Sequence, residues 1–67
     1  MDKNEPVIQL DQFMKLQGMV GTGGQAKLVI QGGEVLVNGI IETRRKKKLR
    51  SGDEVTFNGQ IVIVEFE

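Results

Sequence analysis

The 67-residue chain has no cysteine, no histidine, no tryptophan and no tyrosine, and only one proline. Each absence closes a class of function. Without cysteine no disulfide can staple the domain, and without cysteine or histidine the ordinary zinc sites are excluded. The same two gaps remove the commonest general base and the best thiol nucleophile. The nine carboxylates are scattered along the chain, with no pair at a spacing that suggests acid–base work. The three phenylalanines sit at apolar positions of the pattern, so stacking platforms for unpaired bases are missing. No apolar run is longer than Ile61–Val64, far short of a bilayer span. The N-terminal MDKNEP carries no apolar stretch after its charges, so no secretory signal is read. These gaps predict a cytoplasmic protein that is not an enzyme. It would need no cofactor or metal, act on no small-molecule substrate and have no membrane partner.

A chain of this length is read as one domain over residues 1–67, with Met1–Pro6 frayed. A domain so small buries only about 60% of the surface its unfolded chain exposes, so its core is thin. Little room is expected for a ligand pocket of about 300–1,000 Å³. Leu10, Phe13 and Met14 fall at i, i+3 and i+4, which predicts a helix over Asp11–Gln17, with Asp11 favourable to the helix dipole and Gly18 as its stop. Thr22 and Gln25 form a T-x-x-Q capping box for a second helix, whose buried face is Ala26, Val29 and Ile30 and whose end is Gly32-Gly33. The period then changes to two. Asn38-Gly39 and Asn58-Gly59 each predict a two-residue hairpin turn, Ser51-Gly52-Asp53 a further turn, and Gln60–Phe66 the last strand. Val7-Ile8 is a short strand or an entry segment. The class is α+β: two N-terminal helices packed on a small antiparallel sheet of short strands.

Charge is where the sequence is most uneven. The formal net charge is zero, yet ETRRKKKLRSGD, residues 42–53, packs six of the nine basic residues into the seven positions Arg44–Arg50. A solvated edge strand would explain lysines that block aggregation. Six like charges in seven positions repel, however, and Glu42 and Asp53 only bracket them. Leu49 and the turn that follows imply a folded segment. Clustered, ordered cations make a local positive field whose usual target is phosphate, which favours nucleic acid held by backbone and shape, as folded RNA or a duplex. The stretch GTGGQA, Gly21–Ala26, formally matches G-x-G-x-x-A. A dinucleotide site needs that motif after a strand within a βαβ unit, and here a helix precedes it. Lys27 follows Ala26 rather than glycine, so a Walker loop fails too. The stretch is read as a connector capped by Thr22, whose free amides could still hold one phosphate of a larger ligand. A protein-interaction module, with Leu28, Leu36 and Ile41 as exposed apolar anchors, is the other reading.

The order LDQFMKLQGMVGTGGQAKLVIQGGEVLVNG, followed by ETRRKKKLRSGDEVTFNG, resembles the S-four RNA-binding domain, in particular its small free-standing bacterial members. The resemblance runs from about Leu10 to Val64. It rests on the joint spacing of Leu10-Asp11, Gly18, Ala26, Val29-Ile30, Gly33, Val35, Val37-Asn38-Gly39, Leu49, Gly52-Asp53 and Val55. It implies the αL motif, two helices against a small sheet, with structured RNA lying across helix two and the neighbouring hairpin loop. Carried onto this chain, the RNA-binding face would comprise Thr22, Gln25 and Lys27 on helix two. Arg44, Arg45, Lys46, Lys47, Lys48 and Arg50 would line the other side, with Lys15 as a flank. Many members have Ser-Arg where this chain has Thr22-Gly23, which shifts weight from helix two to the basic run. The implied partner is ribosomal or transfer RNA, with a ribosomal particle as a further partner, and the chain is expected to be a monomer.

Overall fold

A computed structural model describes residues 6–66. Of the expected frayed segment, all but Pro6 lies outside the described residues. The elements are β1 (Ile8–Gln9), α1 (Leu10–Leu16), α2 (Gly23–Gln31), β2 (Val35–Val37), β3 (Ile40–Ile41), β4 (Lys48–Leu49), β5 (Glu54–Phe57) and β6 (Gln60–Ile63). The α+β class is as expected. The strands form two antiparallel sheets: β1 pairs with β4, and β3-β2-β5-β6 make a four-stranded sheet.

Both helices end in the same way. Past α1, Gly18 takes φ +75°, its amide donates to the Lys15 carbonyl, and the Met19 amide donates to Met14. Past α2, Gly33 takes φ +79°, its amide donates to Ile30, and the Glu34 amide donates to Val29. This paired 5→2 and 6→1 bonding satisfies the last carbonyls and needs a left-handed residue, hence glycine. Their starts differ. Thr22 Oγ1 accepts the Gln25 amide at 3.1 Å, as a capping residue should, while Gln25 Oε1 reaches back to the Gly21 amide at 2.9 Å, one residue before the cap. Helix α1 has no side-chain cap at Gln9 and begins at Leu10, one residue earlier than the pattern predicts. Carbonyls from the basic run take its first amides, as described below.

The hairpins follow their turn residues. Asn38 and Gly39 take φ +53° and +81°, and Asn58 and Gly59 take +51° and +80°, the double positive φ of a two-residue turn that matches strand twist. Residues directly opposite across an antiparallel pair share a face. The register therefore puts Val35, Val37, Val55, Phe57 and Val62 on the inner face. Leu36, Ile41, Thr56 and Ile61 lie on the outer face. The core joins Leu10, Phe13 and Met14 of α1, Met19 and Val20 of the connector, Ala26 and Ile30 of α2, Val35, Val37 and Val55 of the sheet, and Leu49 and Val64. Strand β6 stops at Ile63, short of the predicted Phe66, because Val64 turns into the core and bonds both Asp53 and Gly52.

Candidate nucleic-acid interface

The basic run is pinned by its backbone. Leu49 is fully buried, and it pairs with Ile8 while Lys48 pairs with Gln9. Just upstream the Lys47 amide closes a turn on the Arg44 carbonyl at 3.1 Å. The Lys47 and Arg45 carbonyls then accept the Leu10 and Asp11 amides at 2.8 and 3.0 Å. The run thus caps helix α1, and the helix holds the run. Downstream, Asp53 fixes the turn: its Oδ2 accepts the Arg50 amide at 2.8 Å and its Oδ1 accepts from Asn38 Nδ2 at 3.1 Å. Asn38 Oδ1 in turn accepts the Glu54 amide at 3.0 Å.

With the backbone held, the side chains converge. Arg44, Lys46, Lys47, Lys48 and Arg50 line an open groove of about 630 Å³, together with Asp53. Five cations face one carboxylate there, and that carboxylate is already engaged. The groove is far larger than a thin core led one to expect, because it lies on the surface and not within the core. Arg44 enters it as half of an ion pair: its Nε and Nη2 donate to the two Glu42 carboxylate oxygens at 2.9 and 3.2 Å. The Arg44 hydrogen bonds hold the Glu42 carboxyl below the usual carboxylate range, and the same contact raises the Arg44 pKa further.

The sixth cation behaves differently. Arg45 is half-buried and does not line the groove. Its Nε lies 4.0 Å from Asp11 Oδ2, and Lys46 Nζ lies 3.8 Å from the same oxygen. The expectation that Glu42 and Asp53 only bracket the run is therefore corrected on two counts: Glu42 folds back onto Arg44, and a third acid, Asp11, reaches the run from helix α1. Asp11 was legible only as a dipole partner, because nothing local ties position 11 to positions 45 and 46.

The helix residues are dispersed. Lys15 is exposed on α1 and lines a separate shallow cleft of about 360 Å³ with Ile8, Gln12 and Leu16. Thr22 at the cap of α2, and Gln25 and Lys27 on the helix, are exposed and do not line the basic groove. The Thr22 and Gln25 acceptor oxygens are occupied in capping. Gly23 and Gly24 open α2 directly after α1 and its connector, with a helix and not a strand as the preceding element, so the dinucleotide motif lacks its context. Among the described residues there is no group of three or more metal-ligating side chains, and no helix is long and apolar enough to cross a membrane.

Two helices packed with small antiparallel sheets, beside a cationic groove, are the arrangement of an αL-motif protein. The S4 domain family model matches residues 2–65, and the chain belongs to that family. It is 41% identical over 59 residues to the "Putative RNA-binding protein YbcJ" of Escherichia coli (strain K12), covering 88% of this chain and 84% of that one. It is 43% identical over 53 residues to the "Probable ribosome maturation protein RlbA" of Bacillus subtilis (strain 168), covering 79% and 75%. The solution structure of YbcJ from E. coli, reported as revealing an αL motif involved in RNA binding, superposes with a TM-score of 0.65 at 38% identity, covering 94% of this chain and 78% of that one.

Proposed function

We propose that this chain is a non-catalytic RNA-binding module that grips folded RNA through the groove of Arg44, Lys46, Lys47, Lys48 and Arg50. The observation that carries the reading is their convergence on one open groove over a backbone pinned at both ends. Phosphates would be neutralised by the lysines and arginines, and the spacing that the pinned backbone gives these cations would select shape. Arg44 would exchange Glu42 for a phosphate. Lys15, Arg45, Thr22, Gln25 and Lys27 would act at the margins, Lys27 as a phosphate contact from α2. A ribosomal RNA target, in ribosome maturation, is supported by the name of the B. subtilis relative. A transfer RNA target has less support. The chain would work in the cytoplasm as a monomer.

The test is retention of labelled ribosomal RNA fragments by the parent and by a variant carrying Lys46→Glu, Lys47→Glu and Lys48→Glu. These side chains are exposed or half-buried, so the fold should survive and retention should be lost. With about four phosphates engaged, parent affinity should fall with a log–log salt slope of roughly −3, or roughly fiftyfold between 50 and 200 mM. Equal retention by the triple variant would show the groove to be the wrong surface. That outcome would favour the second reading, a protein-interaction module. Its support is the outer row Ile41, Leu36, Thr56 and Ile61, with Ile41 and Ile61 exposed and Leu28 exposed on α2.

A further inference from the structure

We propose that Asp11 is a positioning residue that presets the basic run, holding a carboxylate beside the binding surface at the expense of attraction to RNA. The inference rests on the RNA-binding reading of the groove. Asp11 is only 8% exposed, and its amide and one carboxylate oxygen face the run. Its amide donates to the Arg45 carbonyl at 3.0 Å. Its Oδ2 lies 3.8 Å from Lys46 Nζ and 4.0 Å from Arg45 Nε. Its Oδ1 accepts the Gln12 amide at 2.8 Å, which fixes the carboxylate in the first turn of α1. Next to it, Lys46 Nζ also donates to Gln9 Oε1 at 3.4 Å, and the Leu10 amide donates to Lys47.

Three consecutive residues of the run are therefore tied to residues 9–11. Two ties are backbone bonds, whose geometry depends on how the run is held beside α1. Of the side-chain ties, one is the Lys46 bond to Gln9, and the other two meet on one carboxylate, whose charge offsets repulsion between Arg45 and Lys46. Without it, these two cations are free to separate, and the carbonyls of Arg45 and Lys47 lose the geometry that caps α1. The five groove cations are then presented as a mobile set, and fewer phosphates are met at once.

This assignment and plain electrostatics predict opposite signs. Asp11→Asn takes the net charge from zero to +1, so charge alone would tighten RNA binding. Positioning predicts weaker binding. Affinity for ribosomal RNA fragments is measured for the parent, Asp11→Asn and Asp11→Ser between 50 and 200 mM salt. Amide exchange at Leu10 and Asp11 is measured on the same chains. The expected result is binding weaker by roughly five- to tenfold near 150 mM and a salt slope shallower by about one, as when one phosphate contact is lost. The Leu10 and Asp11 amides should exchange faster, while the β2–β5 ladder is unchanged. Binding by Asp11→Asn as tight as the parent, or tighter, overturns the proposal. So does unfolding of both variants, which would make Asp11 a residue of the fold and not of the run. If the parent itself retains no RNA, the functional reading of the groove fails. Exchange then decides alone, and unchanged rates at Leu10 and Asp11 refute the preset.

Discussion

Glu42 and Arg44 form the tightest ion pair of the basic segment, two residues apart and joined by two side-chain hydrogen bonds. A further bond runs from the Arg44 amide to Glu42 Oε2 at 3.1 Å. The pair has a pH signature. The folded pKa of Glu42 is lowered, first by the Arg44 side-chain hydrogen bonds, so the charged form is favoured by folding. A lowered carboxylate pKa contributes stability that is present above the unfolded value, 4.5, and is lost as pH falls through the folded one. Glu42→Gln should therefore reduce stability at pH 7, and the deficit should shrink as the pH falls below about 4.5. Urea unfolding of both chains from pH 7 to pH 3 checks this, and a deficit that stays constant through the acid range would contradict it. At neutral pH the same variant frees Arg44, so its RNA affinity should not fall.

At the scale of elements, the hairpins and helix ends rest on residues with one conformational task each. Asn38-Gly39 turns β2 into β3, and Asn38 also ties that turn to Asp53 and Glu54 on the way into β5. A Cβ at Gly39 would meet nothing within 4 Å, so Gly39→Ala tests backbone conformation and not packing. It should cost about 1 kcal/mol, the strain of a side chain at φ +81°. Thermal unfolding followed by circular dichroism measures it, and no loss would mean that the turn relaxes to another type. Both Asn-Gly turns, the Thr22 cap and the two glycine helix ends were legible in the sequence, because each depends on neighbours within about four residues. The two-stranded sheet was not. Its strands are two residues long and pair across four elements, Ile8 with Leu49 and Gln9 with Lys48. No periodicity can be read from two residues.

Across the whole molecule, Leu49 joins core to surface. It is the apolar residue inside the basic run, and it is fully buried between cations that line the groove. Leu49→Ala should cost about 2–5 kcal/mol, a drop in melting temperature of at least roughly 10 °C for a domain of this size. Since a small core supplies only about 3–5 kcal/mol, much of the chain would unfold near physiological temperature. Leu49→Met nearly conserves volume and should keep both the melting temperature and RNA retention. If Leu49→Ala melts like the parent, the run is not anchored through the core. The four-stranded sheet has a different character on its outer face, where Ile41, Ile61 and Ile63 are exposed and no cation lies in the strands. Cationic groove and apolar sheet face thus belong to different elements, β4 with its flanking turns on one hand and β2, β3, β5 and β6 on the other.

The amino-acid sequence by itself determined the α+β class, the helix and hairpin punctuation and the clustering of six cations, because these follow from local conformational preference and from composition. It also carried the resemblance to the family. Only the tertiary structure decided which cations share a groove, that Arg45 turns aside to Asp11, and that the basic run and helix α1 cap one another. The contacts between α1 and the run join positions more than thirty residues apart, and burial of Leu10 and Leu49 in one core holds the two segments together.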